Sequence, residues 1–227
     1  MVFESTRGGN VRDLYVKDTS GSAAEKLLYK SDQSKGATDW SANGRFVLFN
    51  SADPKTNRDM WALPLSRGGI PFVTLKTPFE ERWAQLSPES RWLVYMSNES
   101  GRREVYVRAF AEANVAGRHT GGQWQVSNVG GIFPRWAPNG REVYYIGPKG
   151  EMMAAAITVA GDDLEVGTPS VLFQTQIVGG GVDNGQGLQF DVARDGRFLI
   201  NSVVQGPSTP ITLVHSWQPA RRNRVLA

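Results

Sequence analysis

Apolar and polar positions alternate in short runs along this chain, and one run keeps returning. Trp136, Ala137, Pro138, Asn139, Gly140 and Arg141 lead into Glu142, Val143, Tyr144 and Tyr145. The same order stands at residues 40–49 and, more altered, at 86–95 and 192–201. Asn-Gly between alternating apolar runs predicts a β-hairpin, since both central residues of a tight turn then tolerate positive φ. Gly140 is expected at positive φ and Trp136 inside the core.

A second marker has the same period. Asp13, Asp59, Glu104 and Glu151 each open an alternating strand, at spacings of 46, 45 and 47 residues. The turn positions Gly44, Ser90, Gly140 and Gly196 follow at 46, 50 and 56. Helical repeats of this length do not fit, because the windows alternate with period 2, are rich in Val, Tyr, Trp and Phe, and are cut by Gly and Pro. Four short strands per repeat of about 40 to 50 residues are the signature of propeller blades.

The expected fold is therefore all-β, a β-propeller of about five four-stranded blade-like units in one domain over 1–218. The units are 1–30 (lacking its first strand), 31–75, 76–127, 128–175 and 176–218, followed by a basic tail at 219–227. Each unit holds an inner strand ending at the turn, a second strand such as Glu142–Ile146, a third such as 152–159, and an outer strand such as Ser170–Gln174. Because the first unit starts in mid-repeat, an incomplete ring is expected, with its edges covered by self-association or by sequence outside this chain.

Composition narrows the function classes. The chain has 227 residues, 40% hydrophobic and 21% charged, with a net charge of +3 in which both signs are interspersed. That is an ordinary globular composition and gives no polyanion-binding stripe, so nucleic acid is not expected as a partner. There is no cysteine, which removes disulfides, thiolate catalysis and cysteine metal sites. No apolar run is long enough to span a bilayer, and the charged first twenty residues do not read as a signal peptide.

The string Pro134, Arg135, Trp136, Ala137, Pro138, Asn139, Gly140, Arg141, followed by an aromatic strand, resembles the PxWSPDG repeat of TolB-type, WD40-like (PD40) β-propellers. Repeats cover nearly the whole chain. They are weaker where Ser90 replaces glycine and where Arg194 stands at the proline position. Residues 97–107 and 122–125 resemble the C-terminal propeller of bacterial transmembrane serine/threonine kinases. No glycine-rich nucleotide loop or catalytic loop accompanies them, so kinase activity is not implied.

Few residues could carry chemistry. His119 and His215 are isolated and read as structural; no metal site and no cofactor is expected. The loop at 179–187, rich in Gly with Asp183 and Asn184, has oxygens that could wrap a cation, but its composition equally suits a flexible connection, the reading preferred. Of seven tryptophans, Trp40, Trp61 and Trp136 read as core. Trp83, after Glu81 and Arg82 in an expected loop, reads as an exposed binding aromatic. The residues just before the Trp40 column are polar: Asp39, Gln85, Arg135 and Asp191. In the family that this chain resembles, the innermost strands surround a central channel, so these four would line it, either as a ligand site or only to solvate it.

The functional expectation is a non-catalytic binding or scaffold module, the sensor or interaction part of a larger bacterial protein. Its partner would be a protein, a peptide or a cell-envelope component. Resemblance to the kinase tails favours an extracytoplasmic location; otherwise the chain would be cytoplasmic. The alternative is a polysaccharide-acting hydrolase or lyase using Asp39, Asp191 and Glu81 in the channel, which requires two carboxylates about 5 to 10 Å apart.

Overall fold

A computed structural model describes residues 1–110 and 122–203, and all its regular elements are strands. The first antiparallel sheet has three: β1 (Val2–Ser5), β2 (Asp13–Val16) and β3 (Lys26–Tyr29). The second has four in sequence order: β4 (Lys35–Trp40), β5 (Phe46–Asp53), β6 (Asn57–Pro64) and β7 (Phe72–Leu75). The third repeats that order with β8 (Glu81–Leu86), β9 (Trp92–Ser97), β10 (Glu104–Ala109) and β11 (Gln123–Gln125).

The fourth sheet departs from the pattern. β12 (Ile132–Trp136), β13 (Glu142–Ile146) and β14 (Glu151–Ala160) pair in turn, and the ten-residue β14 then serves two partners. Its far half forms a hairpin with β15 (Asp163–Val166), and its near half pairs with β16 (Ser170–Gln174). The hairpin strand is absent from the sequence-based expectation, although Leu164 and Val166 alternate with acids after the Gly161 turn, and Leu164 is buried. Two short strands, β17 (Phe190–Val192) and β18 (Phe198–Ile200), close the described part. The rest of the expected last unit, 204–218, lies outside the described residues.

This arrangement is an all-β propeller of successive antiparallel sheets, two of them four-stranded. Its cores lie between sheets, because each sheet is apolar on the two faces it turns to its neighbours. Phe46, Leu48 and Met60 of the second sheet pack on Leu86, Leu93, Tyr95 and Tyr106 of the third. Trp92, Val94 and Val105 of the third pack on Trp136, Val143 and Ile157 of the fourth. Trp136 is 4% exposed, as expected.

Trp40 corrects the column rule, for it is 40% exposed. Trp136 buries its ring in the cluster that holds Trp92. The Trp40 ring instead lines a recess with Met1, Val16 and Lys17.

The turns are also built differently from the expected pair of positive-φ residues. Gly44 and Gly140 do have φ of 73° and 70°, but Asn43 and Asn139 do not have positive φ. The amide N–H of Gly140 donates to the Ala137 carbonyl at 2.9 Å, and that of Ala137 to the Glu142 carbonyl at 2.9 Å. Pro138 and Asn139 are thus the central residues of an ordinary turn, and the glycine after them is the left-handed bulge residue. Asn139 contributes through its side chain, whose Oδ1 accepts from the Arg141 N–H at 2.9 Å. Ser90 occupies the same bulge position with φ 59°.

Candidate functional site

The inner strands bring the four polar column residues into one series of contacts between blades. Asp39 Oδ2 accepts from the Leu86 N–H of the next sheet at 3.0 Å, and Gln85 Oε1 accepts from the Trp136 N–H of the sheet after that at 2.8 Å. Arginine has no acceptor, so the pattern changes at the following step. Asp191 satisfies its own neighbour, Val192 N–H, at 2.9 Å, and the Arg135 Nε lies 3.6 Å from the same Oδ1.

Electrostatics follow from that burial. The Asp39 carboxyl is raised above its usual value, first by loss of solvent, against the Leu86 hydrogen bond and the Arg135 charge. Arg135, 5% exposed, is lowered, again mainly by burial, with Asp39 and Asp191 opposing. These side chains spend much of their bonding capacity on holding adjacent blades together.

The other three expected residues sit elsewhere. Glu81, Arg82 and Trp83 are in strand β8 and not in a loop. Trp83 is 9% exposed and so is not an exposed aromatic; it meets Phe133 edge-on, with centroids 5.4 Å apart. Trp83 and Phe133 each stand two residues before a column residue, Gln85 or Arg135, and both have positive φ, at 59° and 54°. The strand register shifts at these points, which turns both rings inward.

The glycine-rich loop docks onto this place. Asp183, 6% exposed, accepts on Oδ2 from Trp83 Nε1 at 2.7 Å and pairs there with Arg82 Nη1 at 2.8 Å, while its Oδ1 accepts from the Gly185 N–H at 2.9 Å. Its carbonyl accepts from Arg103 Nη1 at 3.1 Å. The carboxylate is already neutralised by an arginine, so the loop is a pinned connection and not a cation cradle. Among the described residues no group of His, Asp and Glu is arranged to hold a metal. His119 and His215 lie outside the described residues.

Glu81 does not join Asp39 and Asp191. It is fully buried, its Oε1 accepts from Thr77 Oγ1, and its Oε2 has no partner. Burial pushes its carboxyl up to about 7, and the nearby charges of Asp59 and Glu99 add to the rise. The repeat explains the oddity. One 46-residue step separates both Asp13 from Asp59 and Lys35 from Glu81. Between the first two blades Lys35 Nζ meets Asp13 Oδ1 at 2.9 Å; between the next two, a carboxyl stands in the place of that lysine. Asp59 is served by Lys76 at 3.0 Å, reaching in from the surface.

Beside these residues is a cavity of about 550 Å³, bounded by β1, the inner strands β4 and β8, and residues 185–188. Sequence reasoning missed it, because its walls come from distant parts of the chain. Thr38 and Asn50, 8% and 6% exposed, line it, and the Thr38 Oγ1 and Asn50 Oδ1 atoms are buried without a hydrogen-bond partner. So is Nε of Arg82, which lines the same space together with Trp83, Arg12 and Arg58.

Solved structures share this architecture. A putative TolB from Agrobacterium tumefaciens superposes with a TM-score of 0.57 at 15% identity, over 77% of this chain and 61% of that one. The fold is that of a TolB-like β-propeller. A puromycin-hydrolyzing peptidase from Mycobacterium tuberculosis superposes with a TM-score of 0.55 at 14% identity, over 88% of this chain and 34% of that one. The chain thus spans less than two thirds of either protein. No family model matches the sequence, and no curated protein matches it. Among the described residues no helix is long and apolar enough to cross a membrane.

Proposed function

We propose that this chain is a non-catalytic recognition module that receives a segment of a protein or peptide partner in the cavity between β1, β4 and β8. The observation that carries this reading is that Thr38, Asn50 and Arg82, three residues lining that one cavity, each hold a buried polar atom without a partner. A buried polar atom without a partner costs roughly 1–3 kcal/mol, and a bound backbone with alternating donors and acceptors recovers that cost. Arg82 and Trp83 of the sequence-based site belong to this wall; Asp39, Gln85, Arg135 and Asp191 act as the staple between inner strands.

A polysaccharide-cleaving activity has less support, because Glu81 is sealed between blades while Asp39 and Asp191 are held by the backbone amides of Leu86 and Val192 and share the charge of the buried Arg135. In this reading 1–218 is one propeller domain with a basic tail at 219–227, working as the interaction part of a larger bacterial protein. The likeness to kinase-linked propellers would place it outside the cytoplasm.

The test is selection from a displayed peptide library, followed by calorimetry of the best peptide. Thr38→Val and Asn50→Leu should each weaken binding about tenfold while leaving the thermal midpoint unchanged or raised. Equal affinity for both variants and the parent would place the peptide elsewhere and sink the reading.

A further inference from the structure

A second recess, of about 320 Å³, lies between the first two blades, and nothing in the proposed peptide site uses it. Its walls are Tyr29, Phe49 and Trp61, with Asp32, Gln33 and Ser51 among the polar lining. We propose that this recess binds a neutral sugar ring.

The aromatic side is fixed by strand pairing. Phe49 and Trp61 are directly opposed on β5 and β6, with ring centroids 6.3 Å apart and planes 21° apart. Tyr29 lies 5.6 Å from Phe49, centroid to centroid. Phe49 is 1% exposed, whereas Tyr29 and Trp61 remain half-buried and present ring surface to the recess.

The polar side is held in place from beneath. Lys35 Nζ, locked to Asp13, donates to the carbonyls of Ser31 at 3.2 Å and Gln33 at 2.5 Å, which fixes the loop on which Asp32 sits. Ser51 Oγ donates to Gln33 Oε1 at 2.7 Å, which leaves the Gln33 amide hydrogens for a ligand. Asp32 is exposed and has no ion pair among the described residues. The Trp61 indole N–H is buried without an acceptor. Acceptors, donors and aromatic faces therefore surround one small space.

The repeat supplies an internal comparison. One step later the corresponding residues are Leu75, Pro78, Phe79, Tyr95 and Tyr106, with Pro78 and Phe79 in the places of Asp32 and Gln33. The fold itself thus accepts apolar residues there, and the polar pair in the first recess is specific to it. A pyranose matches this mixture, because its C–H face stacks on indole and phenol rings while its hydroxyls bond to carboxylate and amide groups. A cationic ligand fits less well, since the Lys35 ammonium already lies 5.5 Å from the Tyr29 ring centroid and would repel it.

The test is a nitrogen–proton NMR titration of the full chain with methyl β-glucopyranoside, methyl α-mannopyranoside and N-acetylglucosamine. The Trp61 indole resonance is assigned by its disappearance in Trp61→Phe. At least one sugar should shift that resonance saturably, with a Kd of roughly millimolar order. Asp32→Ala, at an exposed position, should weaken the same binding about tenfold without changing the thermal midpoint. Absence of a saturable shift with all three sugars overturns the proposal, as does undiminished binding by Asp32→Ala. Saturation by tetramethylammonium in place of the sugars overturns it equally. Peptide binding in the larger cavity is unaffected by any of these outcomes.

Discussion

The Nζ atom of Lys35 lies 2.9 Å from Oδ1 of Asp13 with both side chains sealed from solvent, and this pair ties the inner strand of the second blade to the first blade. Lys35 also donates to two carbonyls, so its positive charge is fully served. Removing one partner strands the other charge in a dry interface, which costs roughly 3–5 kcal/mol. Lys35→Met should lower the unfolding free energy by that amount, measured by urea denaturation. Replacing both, Lys35→Met with Asp13→Leu, should recover much of the loss, because no lone charge remains buried.

Glu81 occupies the corresponding position one blade later and makes stability depend on pH. Its carboxyl, 4.5 in an ordinary setting, is raised to about 7 by burial. The folded chain therefore holds a proton there that the unfolded chain releases, so the contribution of Glu81 to stability is greatest below about pH 4.5 and falls as pH rises to about 7. Glu81→Gln keeps the neutral shape and removes the titration. The variant should gain stability over the parent at pH 8, by on the order of 2–3 kcal/mol, and lose that advantage at pH 5. Parallel stability curves across this range would show that Glu81 does not titrate abnormally.

Bulge residues offer a paired test of the hairpin. Ser90 holds φ 59° where Gly44 and Gly140 hold 73° and 70°. Ser90→Gly should stabilise by about 0.5–1 kcal/mol, since a side chain resists this conformation and glycine does not. Part of that gain is offset by loss of the 3.1 Å bond from Asn43 Nδ2 to Ser90 Oγ. Gly140→Val should instead cost about 1–3 kcal/mol, because an added Cβ is strained at this φ and would lie 3.2 Å from Glu89 Oε2. Thermal unfolding of the two variants checks both signs.

Trp40 and Trp136 occupy the same repeat position at 40% and 4% exposure. Trp136→Ala should cost roughly 3–5 kcal/mol through the cavity it leaves, whereas Trp40→Ala should cost about 1 kcal/mol or less. Equal losses in denaturant melts would mean that the interface on the Trp40 side is closed in solution.

The sequence by itself determined what is local and repeated. Alternation with period 2, the 46-residue spacing of Asp13 and Asp59, and the glycines after Asn43 and Asn139 are written into neighbouring residues, and they yield strands, turns and blades directly. Burial of Trp136 was also legible from its recurring column, although Trp40 at the same repeat position is 40% exposed. What only the tertiary structure decided lies between blades. Trp83 read as exposed because it follows three charged residues, yet a positive φ and a register shift turn it inward, where Asp183, one hundred residues away, accepts its N–H. Asp39 and Gln85 read as channel-lining side chains, and the structure adds a contact that the sequence does not show, from each to the backbone of the next blade. Thr38, Asn50 and Arg82, each with an orphaned polar atom, come to line one cavity because separate sheets converge there. Local pattern fixes backbone geometry over a few residues; which charge meets which, and which polar atom goes without a partner, depends on packing between segments far apart in the chain.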